Sequence, residues 1–395
     1  MRPALHLTVV TETYPPEING VANTMRHLVA GLTDRGHQLH VIRPRQGTDA
    51  GSAADPHPSE TLVPGLPIPG YRGLRFGLPV FARLRRLWQV ERPDLIYIAT
   101  EGPLGRAALK VAAAHGIPTA TGFHTQFEQY SRHYGLGLLA QPIAHSLRTF
   151  HNRSDATLVP TSELRDRLRA QGYTKVQVFG RGVDTQLFSP TRRRAPLRAQ
   201  WGCGPDAPTL LYVGRLAAEK NIALVLESFI ATQASLPKAR CLLVGDGPER
   251  SRLARRFPQF HFVGAKVGVE LAEHYASADL FVFPSLTETF GNVVPEAMAS
   301  GLTVVAFDAA AAHNYIRTGD NGITVYPYDD LAFVNAVVAA AQGMKNLLQY
   351  GGKARATAET LGWDRVIDTV EKCLFDVIQQ RATAAGPQRL APTSQ

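Results

Sequence analysis

The sequence predicts an α/β protein of two doubly wound parallel-sheet domains, and three observations lead there. At 395 residues the chain is too long for one ordinary domain. Short runs that are apolar throughout alternate with stretches of helical period, the pattern of a parallel sheet covered on both faces. That rhythm stops at a basic tract, "SPTRRRAPLRAQWG" at 189–202, and then restarts.

In the first half, "ALHLTVV" at 4–10 reads as a strand and "VANTMRHLVAGLTDRGH" at 21–37 as a helix ended by Gly36. "QLHVIRP" at 38–44 is the next strand. "LWQVERPDLIYIAT" supplies a helix end, a turn at Pro93 and a strand over 94–99. "PLGRAALKVAAAHG" is a helix stopped by Gly116, and "IPTATGFH" is a strand leading to His124. The stretch "QGTDAGSAADPHPSE" at 46–60 reads as an exposed loop.

In the second half the strands are "PTLLYVGRL" (208–216), "ARCLLVGDG" (239–247), "FHFVGA" (260–265), "DLFVFPS" (279–285) and "LTVVAFD" (302–308). "NIALVLESFIATQASL", "ERSRLARRF", "VELAEHYASA" and "VVPEAMASG" are the helices between them. The basic tract reads as the linker region. The expected domains are 1–190 and 191–362, followed by a helix over 363–382 and a disordered tail over 383–395.

Composition narrows the setting. Cys203, Cys241 and Cys373 stand far apart, in no metal-type spacing, and so sparse and odd a set points to a reducing compartment. No apolar run reaches the roughly 18 residues of a spanning helix, and the start "MRPALHLTVVTETYPP" lacks the form of a signal peptide. The expectation is a cytoplasmic protein. Residues 1–190 hold 21 Lys and Arg against 14 Asp and Glu, so they carry most of the net +9. A basic first half suits anionic lipid headgroups, nucleic acid or a phosphorylated substrate. An arginine bias, 34 Arg to 8 Lys, accounts for the same excess.

Ligands in open parallel sheets bind beyond the carboxyl ends of the strands, and the unusual residues gather there. "GRLAAEKN" sets Arg215 just past a strand and Lys220 at a helix start. A guanidinium fork and a point charge together suit a diphosphate, while a solvated loop with an Arg215–Glu219 pair explains them equally. In "TETFGNVVPEAMASG", Gly291 and Asn292 stand near a helix start, where unpaired N–H groups favour phosphate. Glu288 precedes that turn and Glu296 lies in the helix. A carboxylate can take a ribose diol, or Glu296 can satisfy a neighbouring backbone group. Asn19-Gly20 allows close backbone approach to a ligand, or is a plain turn. His124 ends a strand, where a lone histidine is more often structural.

Several classes lack their motif. Gly245-x-Gly247 has no third glycine and falls in the second half, poor evidence for a dinucleotide cofactor. No G-x-x-x-x-G-K-[ST] occurs, no G-x-S-x-G, and no Asp-x-Asp to hold a divalent cation on a sugar diphosphate. The high pI comes with no nucleic-acid-binding module, so no nucleic-acid partner is expected.

As a set, "NGVANTMRHLVAGLTDRGHQLHV", "GFHTQF", "VPTSELRDRL", "GRGVDTQLFSP", "YVGRLAAEKN", "LVGDGPER", "YASADLFVFPS" and "ETFGNVVPEAMASG" resemble the retaining nucleotide-sugar glycosyltransferases of family four. The likeness spans nearly the whole chain. It implies the fold called GT-B, two Rossmann-like domains facing across a cleft, with the C-terminal helix returning to the first. "TETYPPEINGV" and "RGVDTQLFSP" look closest to GDP-mannose-dependent mannosyltransferases and to lipid-directed relatives making glycosyl- or sulfoquinovosyl-diacylglycerol.

The resemblance also implies roles. Arg215 and Lys220 bind the donor diphosphate, and Glu288 meets the sugar hydroxyls with the Phe290–Asn292 backbone, and Val293 beyond it, nearby. Glu296 holds the ribose diol. Gly20 offers an N–H to the distal phosphate, His124 lines the sugar pocket, and Lys266 and Val267 lie near the base. No metal or other cofactor is expected beyond the nucleotide-sugar co-substrate, which is GDP-mannose or a UDP-sugar. The acceptor is a lipid or a glycan, chosen by the first domain.

The segment "GYRGLRFGLPVFARLRRLWQ" at 70–89 interleaves Arg72, Arg75, Arg83, Arg85 and Arg86 with apolar residues and Trp88. Such a basic amphipathic stretch can lie on the inner face of an anionic bilayer, or it is a helix covering the sheet with an arginine-rich solvent face. A sugar-nucleotide epimerase or phosphorylase of similar fold, and a degenerate binding module, are the competing readings.

Overall fold

The structure, a computed structural model, describes residues 2–17, 19–46, 59–67, 75–124, 140–204 and 207–384. The chain divides into two compact units. Of the described residues, the first holds those within 2–124, 140–180 and 364–384, and the second those within 181–363.

The first unit is a seven-stranded parallel sheet in the order β3-β2-β1-β6-β7-β8-β9. Its strands are β1 (His6–Val10), β2 (Gln38–Pro44), β3 (Ser59–Val63), β6 (Leu95–Ile98), β7 (Thr119–Gly122), β8 (Ala156–Val159) and β9 (Val176–Val178). A small antiparallel pair, β4 (Gly65–Pro67) and β5 (Arg75–Gly77), lies beside it. The helices are α1 (Gly20–Asp34), α2 (Phe81–Val90), α3 (Pro103–Ala114), α4 (Ala140–Asn152) and α5 (Ser162–Ala170). In α1, Met25, Leu28, Val29 and Leu32 form one buried stripe at helical spacing. Asn19 caps that helix by accepting from the N–H groups of Val21 and Ala22 at 3.0 and 2.8 Å.

The last described helix, Trp363–Ala384, belongs almost wholly to this first unit. Its buried face is Val366, Ile367, Val370, Cys373, Leu374 and Val377. Glu371 reaches His37 at 3.1 Å and Asp368 reaches Arg35 at 2.7 Å. The helix runs to Ala384, so the first two residues of the expected disordered tail are helical; the rest of the tail, and most of the expected loop over 46–60, lie outside the described residues.

The second unit is a six-stranded parallel sheet in the order β12-β11-β10-β13-β14-β15. Its strands are β10 (Thr209–Val213), β11 (Arg240–Val244), β12 (His261–Gly264), β13 (Leu280–Phe283), β14 (Thr303–Phe307) and β15 (Ile323–Val325). Around it stand α6 (Ala195–Gln200), α7 (Ile222–Ser235), α8 (Arg250–Arg256), α9 (Gly268–Ser277), α10 (Val293–Ala299), α11 (Ala310–Tyr315), α12 (Asp330–Gln342) and α13 (Met344–Glu359). Tyr212, Phe229, Phe281, Phe307 and Phe333 are fully enclosed in its core.

One sequence expectation changes here. Before the C-terminal helix, the first unit's part of the chain runs only to Gly180, and the basic tract beyond it is packed structure of the second unit. Arg198 on α6 is buried and donates to Thr209 Oγ1, the Ser277 carbonyl and Asp279 Oδ2 at 3.1, 2.8 and 3.0 Å. The Gly245-x-Gly247 pair has a packing reason. A Cβ on Gly245 would stand 1.9 Å from the Gly214 carbonyl oxygen, and one on Gly247 2.3 Å from that of Leu216. The glycines let the exits of β10 and β11 touch.

Candidate functional site

Each sheet reverses its strand order at one point. In the second unit β10 pairs with β11 on one side and β13 on the other, so the chain's two directions of winding part between β10 and β13. Crevices at such switch points, outside the carboxyl ends of the strands, are where α/β sheets bind ligands. The loops leaving β10 and β13 carry Arg215, Lys220 and Glu288.

After β10 the chain passes Gly214 (φ +157°) and Arg215, makes one tight turn over Ala218–Lys220, and enters α7 through Asn221 in the left-handed region (φ +54°). That short path holds Lys220 over the sheet edge. Its Nζ donates to Glu288 Oε1 at 2.5 Å, and Ser285 Oγ donates to the same oxygen at 2.9 Å. Thr287 Oγ1 donates to the Glu219 carbonyl at 2.9 Å, which ties the β13 loop to the β10 loop. Arg215 lies 3.5 Å from Glu219, whose side chain is buried. The Arg215–Glu219 pair that sequence offered as an alternative is therefore present. It stands in the same corner as the Lys220–Glu288 pair rather than out in solvent. Tyr212 is enclosed beneath and donates to the Arg215 carbonyl at 3.1 Å. Burial, then the Glu288 and Glu219 charges, hold its hydroxyl well above the usual phenol range.

The β13 loop continues through buried Phe290, edge-on to Tyr315, and through Gly291 at φ +85°. Gly291 allows the reversal into α10 that sets Asn292 and Val293 at the helix start, both half-buried. Glu296 follows one turn later and takes a hydrogen bond from Tyr275 on α9, at 3.1 Å to Oε2. Burial pushes its carboxyl up to about 7, against a lowering by the Tyr275 bond. Lys266 and Val267 lie apart from these groups, beyond edge strand β12. Lys266 pairs with Glu270, and Val267 is 49% exposed. Among the described residues no three His, Cys, Asp or Glu groups gather as a metal-holding cluster.

In the first unit the reversal falls between β1 and β6. Gly20 is the first residue of α1 there, beside a network in which Asn19 donates to Thr13 Oγ1 at 2.6 Å and Gln46 donates to Glu17. His124 is 5% exposed and shares a hydrogen bond with Tyr97 Oη at 2.9 Å. A Cβ on residue 122 would lie 2.2 Å from His124 Nε2, so Gly122 makes room for the ring.

Several site groups carried no clear sequence signal. Glu12 accepts from the Leu104 N–H at 2.9 Å at the start of α3, and burial, the largest influence, pushes its carboxyl up to about 7. Glu101 meets His151 at 3.2 Å with both side chains enclosed. "TETYPP" stood out at a strand end, but nothing in the sequence distinguished Glu12 from Glu17. Tyr275 lies in a stretch that reads only as a helix and Ser285 closes one that reads as a strand, and neither stands out there.

The basic segment resolves against insertion of its aromatic face. Leu84 and Trp88 on α2 are 1% and 2% exposed and pack with Val10, Ile42 and Val63. The apolar stripe is spent on the sheet, and Arg83, Arg85 and Arg86 form the outer face. Arg75 on β5 donates to the Gly65 carbonyl at 2.6 Å, and Arg72 lies outside the described residues. No single described helix is long and apolar enough to cross a membrane.

Residues 18–187 match the profile described as Glycosyltransferase Family 4, and 207–342 the one described as Glycosyl transferases group 1. A GDP-mannose-dependent alpha-mannosyltransferase of Mycobacterium tuberculosis is 36% identical over 80% of this chain and 83% of its own. An alpha-monoglucosyldiacylglycerol synthase of Acholeplasma laidlawii is 28% identical over 81% of this chain and 84% of its own. Among solved structures, Anabaena HepE in complex with UDP superposes with a TM-score of 0.76 at 19% identity. It covers 94% of this chain and all of that one, a likeness of fold.

Proposed function

The chain belongs to glycosyltransferase family 4, and from that membership we propose that it moves mannose from GDP-mannose to a hydroxyl of a membrane glycerolipid or phosphatidylinositol-type lipid. Its fold is GT-B and it is a nucleotide-sugar glycosyltransferase. The observation that carries the donor reading is the pair Lys220–Glu288 at 2.5 Å, beside Arg215, at the switch point of the second sheet.

In this reading Arg215 and Lys220 stabilise the diphosphate as its charge grows, without a metal. Glu288 receives sugar hydroxyls beside the Phe290–Val293 backbone, and Glu296 receives the ribose diol. Lys266 and Val267 border the base. The acceptor oxygen bonds to the anomeric carbon as its bond to the phosphate oxygen breaks. The acceptor's proton passes to a leaving phosphate oxygen, and the configuration is retained.

A donor screen with GDP-mannose, UDP-glucose, UDP-glucuronate and UDP-galactose, each with membrane lipid extract, tests this. Turnover of GDP-mannose into a lipid-soluble product is the expected result. Turnover confined to a UDP-sugar, or to a soluble acceptor, sinks the donor or the acceptor assignment respectively.

The relatives' lipid products and the outer arginines of α2 support a peripheral membrane contact. Arg85→Gln with Arg86→Gln is expected to weaken binding to anionic vesicles about 30-fold, from about 1 kcal/mol per basic residue near the surface. Flotation at low salt checks it. Unchanged flotation of the double variant would remove α2 from the contact.

A further inference from the structure

Tyr275 on α9 is fully buried, edge-on to Phe188 at 5.6 Å and tilted against Phe281 at 5.7 Å. These neighbours pack the ring, and a phenylalanine would fill the same space. The hydroxyl is the polar handle, and a buried one takes a partner. Here the partner is a carboxylate, through the 3.1 Å bond to Glu296 Oε2. Among the described residues no donor reaches Oε1, and Glu296 keeps partial exposure.

We propose that Tyr275 is a positioning residue for the donor: its hydroxyl fixes one oxygen of Glu296 and leaves the other to receive the vicinal hydroxyls of the nucleotide ribose. This rests on, and deepens, the assignment of Glu296 to the diol. A carboxylate on a side chain with several rotatable bonds would otherwise lose entropy on each binding event. The buried phenol takes that ordering out of the binding step, because the carboxylate is already held in the empty protein.

The arrangement also links binding to protonation. Burial pushes Glu296 up to about 7, so near neutrality the empty site is partly protonated. An ionised carboxylate accepts from both hydroxyls of a diol, whereas a protonated one has less acceptor capacity. Nucleotide affinity therefore falls as pH drops below about 7. The charged groups on elements around α10 are occupied elsewhere. Arg355 on α13 donates to the Phe188 and Ala299 carbonyls, both at 2.7 Å, and Lys353 pairs with Asp320. His313 on α11 pairs with Asp308, and His274 on α9 meets the Glu270 carbonyl.

The test is calorimetric titration of GDP and 2′-deoxy-GDP, with UDP and 2′-deoxy-UDP in parallel, between about pH 6 and about pH 8.5. Tyr275→Phe is expected to weaken GDP roughly tenfold, the order of one hydrogen bond to a charged group. It should leave 2′-deoxy-GDP nearly unchanged and shift the acid limb of GDP binding upward, because the lowering bond is gone. Glu12 titrates in the same range, and a limb that persists in Glu12→Gln but moves in Tyr275→Phe belongs to Glu296. Should Tyr275→Phe fold poorly, Glu296→Asp withdraws the carboxyl from Tyr275 with the ring in place and is expected to lose the same discrimination. Equal weakening of both nucleotides by Tyr275→Phe, or none, overturns the positioning role while Glu296→Gln still loses its preference for GDP. If Glu296→Gln keeps that preference, the diol assignment itself is wrong.

Discussion

Lys220→Ala and Glu288→Ala each lower kcat/KM by at least about 10²-fold, the order lost when one charge-stabilising donor is removed from a reacting centre. The two side chains touch at 2.5 Å, so the effects are coupled. On the proposed assignment, removing Lys220 takes away a cation from the diphosphate. It also leaves the Glu288 carboxylate with Ser285 as a donor and with a charge that repels the donor's phosphates. The double variant should therefore lose much less than the product of the two single losses, because residues in contact do not act independently. Lys220→Arg restores charge but not the compact point contact, and should recover only part of the rate. Steady-state kinetics on the preferred donor decides it. Near-normal turnover in both single variants would remove this corner from the reaction.

Arg198→Ala destabilises the protein by about 3–5 kcal/mol, the range for breaking a buried ion pair from one side. Asp279 is 7% exposed in its side chain and its Oδ2 accepts from Arg198 and from the Thr209 N–H at 2.9 Å. Arg193, 44% exposed, remains on Oδ1 at 2.7 Å and moderates the loss. The Ser277 and Ala207 carbonyls also lose a donor, at 2.8 and 3.2 Å. A domain of this size loses about 2–4 °C of Tm per kcal/mol, so a fall of about 10 °C is expected in thermal unfolding. A change below about 1 kcal/mol would show that the tract is not part of the folded second unit.

Strands β1, β2, β6, β7 and β10 to β14 were legible as short, mainly apolar runs of the kind a sheet covered on both faces requires, whereas β3, β4, β5, β8, β9 and β15, of three to five residues each, were too short to carry that pattern and were not read. Lys220 and Glu288 were legible because chemistry at strand ends stands out against those runs. Arg198 was not. An arginine in a basic tract resembles linker, and its burial depends on Asp279, far along the chain, arriving beneath it. Trp88 stayed open between two readings for a related reason: an amphipathic segment has the same pattern whether its apolar stripe meets lipid or a sheet. Tyr275 was hidden because a core tyrosine and a positioning tyrosine differ only in where the hydroxyl points.

The helix Trp363–Ala384, made after the whole second unit, completes the sheet-and-helix body that begins with β1. On the ribosome the first unit must wait, unfinished, until the second has been made and this helix follows it. The middle body can close sooner, since domains fold as units while the chain emerges. Until its final helix arrives, the early portion leaves the apolar faces of α1 and β1 open to chaperones. A nonsense codon before residue 363 would thus injure the end of the molecule that was translated intact.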